Sequence, residues 1–96
     1  MKTVHIDEVN FKNLKRFGIK TGMKNTDVIR FIFMLIDDDY YPDIVSKKSQ
    51  IKYCKTVELV GEDHLRLRLF ANEWGMSVKD SLDYIISNFL PNEVMK

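Results

Sequence analysis

Apolar and polar residues change rhythm along this chain in a set order, and the order occurs twice. Thr3-Val4-His5-Ile6 alternates polar and apolar, the period-two pattern of a strand with one buried face. Val4 and Ile6 are expected to point inward, and Thr3 and His5 outward. Asp7 is a good helix N-cap, and Glu8 suits a first turn near the positive end of the dipole. Phe11, Leu14, Phe17 and Gly18 then recur at three- and four-residue spacing. That spacing predicts an amphipathic helix to Thr21, with Lys15, Arg16 and Lys20 on its outer side. Gly22 stands where a left-handed residue ends a helix.

Asn25 or Thr26 is suited to cap a second helix, with Asp27 in its first turn. Val28, Ile29, Phe31, Ile32, Phe33, Leu35 and Ile36 make that helix apolar nearly all round, which predicts a central position. Asp37-Asp38-Asp39 reads as the exit into a solvated linker, residues 38–53, containing Pro42 and the polar run Ser46–Gln50. The rhythm then restarts. Thr56-Val57-Glu58-Leu59 alternates, with Val57 and Leu59 inward and Thr56 and Glu58 outward. Gly61-Glu62-Asp63 opens a helix bearing Leu67, Phe70, Ala71 and Trp74, stopped by Gly75. Trp74 and Tyr84 are expected in the core. Ser77 and Asp80 resemble a capping box, although that motif prefers Glu or Gln at its last position. Val78, Leu82, Ile85, Ile86 and Phe89 form a helical stripe ended by Pro91, and 92–96 reads as a tail.

A shift of 53 superposes the two halves without a gap. Residues 3–36 and 56–89 share eight identities in 34 positions, among them Thr3/Thr56, Val4/Val57, Phe17/Phe70, Gly22/Gly75 and Asp27/Asp80. A repeat of about 35 residues is too small to bury an adequate core alone, so the halves are expected to pack on each other. The organisation is then a first unit 1–37, a linker 38–53, a second unit 54–91 and the tail, with both units forming one folded body.

Composition narrows the function by exclusion. The chain has 96 residues, 45% hydrophobic and 30% charged, as expected for a globular protein. Its one cysteine, Cys54, leaves no internal disulfide and no CxxC spacing, which suits a reducing, cytoplasmic setting. Met1–Lys20 has no apolar signal-peptide core, and the longest apolar run, Phe31–Ile36, is far below the roughly 20 residues of a membrane span. No membrane partner is expected. His5 has no second ligand at metal-binding spacing, so no metal or cofactor is expected. Paired carboxylates, a nucleophile–base set and a phosphate loop are all missing from the pattern, so an enzyme is not expected.

Charge adds one positive indication. The net charge is only +1, but residues 1–24 carry six Lys/Arg against two acids and residues 25–46 one against five. Residues 47–68 then carry six against three, and 69–96 two against four. Each unit has a basic front and an acidic back, which predicts one positive face.

Strand, helix, glycine turn and helix in about 35 residues, with a strand polar on its outer face, resembles the ribbon-helix-helix family of DNA-binding proteins, to which the Arc and methionine repressors belong. The resemblance covers residues 2–36 and 55–90. Gly75-Met76-Ser77-Val78-Lys79-Asp80-Ser81-Leu82 is similar to the first half of the family's Gly-x-Ser-x-Ser-x-x-Ile turn. Gly22-Met23-Lys24-Asn25-Thr26-Asp27-Val28-Ile29-Arg30 matches it from Thr26 onward, including the Ile-Arg pair. Lys24 departs from it where the family prefers Ser, and Asp83 where it often has Arg. Compact tandem forms of this kind look similar to regulators of archaeal viruses and mobile elements.

The resemblance implies a mainly α fold with a two-stranded antiparallel β-ribbon, the two motifs forming an intramolecular pseudo-dimer. Residues 3–6 would pair antiparallel with 56–59, since a lone strand exposes unpaired backbone groups and its equivalent is the best partner. The implied function is a sequence-specific transcriptional regulator, a repressor in the named relatives, that inserts the ribbon into the major groove of double-stranded DNA. Thr3, His5, Thr56 and Glu58 would face the bases. Lys2, Lys52 and Lys55 would lie beside the backbone, and the helix starts Lys24-Asn25-Thr26 and Ser77-Val78-Lys79 would bind phosphates. Glu58 is the awkward residue, since a carboxylate near DNA is repelled unless it accepts from cytosine N4. Two other readings stay open: a protein-interaction module that keeps the fold, and an antitoxin-like component. Further self-association of whole chains, through the Phe31–Ile36 helix or the acidic linker, also stays open.

Overall fold

The computed structural model describes residues 2–42 and 55–90. Lys52, Cys54, Pro91, the tail and most of the expected linker lie outside the described residues. In chain order the elements are β1 (Lys2–Ile6), α1 (Glu8–Thr21), α2 (Asn25–Met34), β2 (Lys55–Leu59), α3 (Gly61–Trp74) and α4 (Val78–Phe89). The fold is mainly helical, with one two-stranded sheet.

β1 and β2 pair antiparallel, and their register centres on Val4 opposite Val57. Those two valines are also equivalent under the 53-residue shift. The ladder therefore reads the same way from either end: Thr3 faces Glu58 and His5 faces Thr56. Alternation along both strands does what the sequence predicts. Val4, Ile6, Val57 and Leu59 are buried, and the residues between them are exposed.

Under the ribbon the four helices share one core. Leu14, Phe17, Val28, Ile29, Ile32 and Phe33 come from the first half; Leu67, Phe70, Trp74, Leu82, Ile85 and Ile86 come from the second. The turns are formed as their residues suggest. Gly22 and Gly75 end α1 and α3 at φ 71° and 67°, a region that a Cβ penalises and glycine does not. Asp7 caps α1 by accepting from the Val9 N–H (3.2 Å), and Ser77 caps α4 by accepting from the Asp80 N–H (3.2 Å).

The structure corrects three details. Neither Asn25 nor Thr26 caps α2: Lys24 is the capping residue, its side chain makes no capping bond, and Asn25 already lies inside the helix. Nor is α2 enclosed all round. Phe31 is half-buried and stacks on Phe17 with ring centroids 6.0 Å apart. Met34 and Leu35, at its end, stay 81% and 48% exposed. Finally, Asp37, Asp38 and Asp39 are exposed as expected, but Tyr40, right after them, packs against the second half. The Tyr40 carbonyl accepts from Trp74 Nε1 (3.2 Å), and the Tyr40 and Tyr84 hydroxyls are 2.7 Å apart. Tyr40 also meets Trp74 and Phe89 edge-on at 5.9 and 5.1 Å. As expected, Trp74 is buried; Tyr84 is half-buried against the core.

Candidate nucleic-acid interface

The ribbon's outer face holds four exposed side chains in two cross-strand pairs, Thr3 with Glu58 and His5 with Thr56. Side chains directly opposite in an antiparallel pair have Cβ atoms about 4.5–5.5 Å apart, so the four form one continuous patch. His5 and Glu58 occupy equivalent positions in the two halves. One offers an imidazole and the other a carboxylate, so the patch differs from end to end.

Lys2 and Lys55, the first residues of the two strands, sit at opposite ends of the ladder. Each meets the helix that follows the other strand, at equivalent positions. Lys55 Nζ lies 5.8 Å from the Phe11 ring centroid on α1. Lys2 lies close enough to His64 on α3 to act on its charge. Burial first, then Lys2, then Arg68, push the His64 pKa below 6.5, so its imidazole is neutral at neutral pH. A general apolar stripe on α3 hid His64 from the sequence reading. The equivalence of 64 with Phe11 was the available signal.

The starts of α2 and α4 are the other candidate groups. The first N–H groups of a helix have no intrahelical partner, and the dipole makes that end positive. At α2 no side chain occupies them, and Lys24 stands at the cap. Thr26 is turned toward the ribbon: its hydroxyl donates to the Glu58 carbonyl at 3.4 Å, tying α2's first turn to β2. At α4 the Ser77 hydroxyl accepts from Asp80 N, and Val78 and Lys79 are the first residues of the helix. Both first turns carry an acid, Asp27 and Asp80, which weakens the positive potential there.

The structure thus brings Thr3, His5, Thr56 and Glu58 together on one surface, with Lys2 and Lys55 at its ends. Asn25, Thr26, Lys24, Ser77, Val78 and Lys79 form the two helix starts. The basic residues of the first half do not all gather there. Lys12, Lys15, Arg16 and Lys20 line a shallow groove with Ile19 on the outer side of α1. Among the described residues no group of three His, Cys, Asp or Glu is placed to hold a metal ion, and no helix is long and apolar enough to cross a membrane.

Polar contacts between the halves were not foreseen. Asp83 on α4, 3% exposed, accepts through Oδ1 from the Asp7 N–H (3.2 Å) and from Asn10 Nδ2 (2.5 Å). Asn10 Nδ2 also donates to Ser87 Oγ (2.9 Å). On the other side Arg30 Nε of α2 lies 3.7 Å from Asp63 Oδ2 of α3. Arg66 donates to the Phe33 and Ile36 carbonyls at the end of α2 and pairs with Asp38 at 3.1 Å. Burial raises the Asp63 pKa above 3.8, against the lowering pull of Arg30.

Comparison of the chain with protein-family models, curated proteins and solved structures finds no match.

Proposed function

We propose that this chain is a ribbon-helix-helix regulator that works as a single-chain pseudo-dimer and reads double-stranded DNA through its ribbon. The carrying observation is the register centred on Val4 and Val57, which leaves four exposed polar side chains on one face of a two-stranded antiparallel sheet. A ribbon of this width fits the major groove, where outward side chains reach base edges. Threonine serves either a donor or an acceptor, or touches the thymine methyl group, and Glu58 favours cytosine through its N4 donor. Lys2, Lys55 and the N–H groups opening α2 and α4 supply the sequence-independent part by meeting phosphates. Because His5 and Glu58 differ, one chain reads a short, non-palindromic core.

The test is binding to double-stranded DNA over a range of salt. Affinity should fall steeply as salt rises. Lys24→Ala should weaken binding to all sequences alike and flatten the logarithmic salt slope by about one unit. A second reading, a protein-interaction module on the same fold, is favoured by Glu58 on the outer face and the net charge of +1. Undetectable DNA binding at low salt would leave that reading standing in place of the first.

A further inference from the structure

Two contacts join the helices of opposite halves, and they are built from equivalent positions with different chemistry. Under the 53-residue shift Asn10 corresponds to Asp63, and Arg30 to Asp83. The α1–α4 contact joins Asn10 to Asp83, an amide to a buried carboxylate. The α2–α3 contact joins Arg30 to Asp63, a guanidinium to a carboxylate. A symmetric repeat would carry the same pair at both places.

We infer that these four residues form a pairing key, which makes each half complementary to the other half and mismatched to a copy of itself. The inference rests on the ribbon-helix-helix reading, in which like halves of two chains are able to pair. Pairing two second halves would set Asp63 against Asp83 at both contacts. Asp83 is almost wholly enclosed and accepts from Asn10, so putting a carboxylate in place of that amide removes a donor and sets two negative charges together with little solvent to offset them. Pairing two first halves would set Arg30 against Asn10 and leave the guanidinium without its anion. It would also replace Arg66, which holds the end of α2, with its shorter equivalent Asn13. All three mismatches act in the same direction. The key therefore keeps two unlike strands in one ribbon. Like-paired ribbons would carry His5 twice or Glu58 twice, and the asymmetric outer face would be lost.

The experiment uses the full chain with Cys54→Ser. A V4C/V57C variant should close an internal disulfide across the ribbon centre; failure to do so would overturn the pseudo-dimer reading itself. A variant with V4C alone forms a disulfide only between two chains whose first halves have paired. Refolded at about 1 mM, the order of effective concentration between tethered modules, it should stay monomeric. Adding R30D/D63N turns both contacts into asparagine–aspartate pairs, and adding N10D/D83R turns both into aspartate–arginine pairs. Each symmetrised chain should raise the yield of disulfide-linked dimer about tenfold, since a linked dimer also brings its two second halves together, where the unaltered chain sets two carboxylates in one site and loses a factor of that order. The two designs alter different sites, so a folding failure in one leaves the other to decide. Equal dimer yields with and without symmetrisation, or abundant dimer in V4C alone, would overturn the key.

Discussion

The α1–α2 corner and the α3–α4 corner solve the same packing problem in opposite ways. At the first, Gly18 lets the chain after α1 come close: a Cβ on it would lie 2.6 Å from the Met23 carbonyl oxygen. Thr21, in the last turn, donates its hydroxyl to the Phe17 carbonyl at 2.7 Å. At the second corner the equivalent positions are Ala71 and Trp74. Trp74 stacks on Phe70 at 4.9 Å and meets Tyr84 at 5.8 Å, with Tyr40 closing the cluster. One corner is closed by the absence of a Cβ at Gly18 beside a single Phe17–Phe31 stack, and the other by four aromatic rings. The ribbon centre and the shared core stay alike in both halves, because each half must fit the other there. Away from that fit the halves diverge, and the outer face of α1 is basic where α3 carries the exposed Leu65 and Leu69.

The largest effect should come from removing the aromatic filling. Trp74→Ala empties a buried site, and it should cost about 3–5 kcal/mol, read by urea denaturation. A loss below about 1 kcal/mol would mean that the second corner is not held by its ring cluster. The glycine pair comes next. Gly18→Ala should cost about 1–3 kcal/mol through overpacking against backbone, although alanine is the better helix former. Ala71→Gly, the reverse change at the equivalent place, should cost only about 0.5–1 kcal/mol, mainly through backbone entropy. Equal losses at the two positions would erase the contrast.

The smallest effect is one of pH. The folded state lowers the His64 pKa, so the unfolded chain binds a proton more readily. Its contribution to stability is complete above 6.5 and is lost as pH falls through 6.5 toward the lower folded value. His64→Phe, which installs the residue type of the equivalent Phe11, should remove that loss. Between about pH 7 and pH 5 its urea midpoint should fall less than that of the unaltered chain. Asp63 acts in the opposite sense at lower pH. Its raised pKa lets the folded state hold a proton more readily, so stability from that group is lost as pH rises through the folded value. A His64→Phe midpoint that falls in parallel with the unaltered chain would contradict the assignment to His64.

Local chemistry was legible in the sequence, and contacts between distant segments were not. The alternation at Thr3–Ile6 and Thr56–Leu59, the glycine stops and the Ser77 cap depend on neighbours a few residues away. The exact fit of the repeat also put Val4 opposite Val57 within reach of prediction. Asp83 read only as a departure from a familiar pattern. Its meaning comes from Asn10, brought to it from the far end of the chain. Nothing near Arg66 in the sequence indicates its partners, the carbonyls at the end of α2, which come from 30 and 33 residues away. Lys24 as the cap of α2 went against residue preference, and Thr26, a better capping residue, instead donates to the Glu58 carbonyl across to β2. Among the candidate site residues, the outward four were given by period alone, as was the placing of Lys15, Arg16 and Lys20 together on the outer side of α1.

Selection of bound sequences from random double-stranded DNA, for the unaltered chain and for Glu58→Ala in parallel, tests the central claim most directly. The chain should select a short, non-palindromic core that footprinting places under one molecule. Glu58→Ala should relax the preference at one base pair by about 1–3 kcal/mol while leaving the others. A palindromic core within one chain's footprint, an unchanged preference after Glu58→Ala, or no selected sequence at low salt would contradict it.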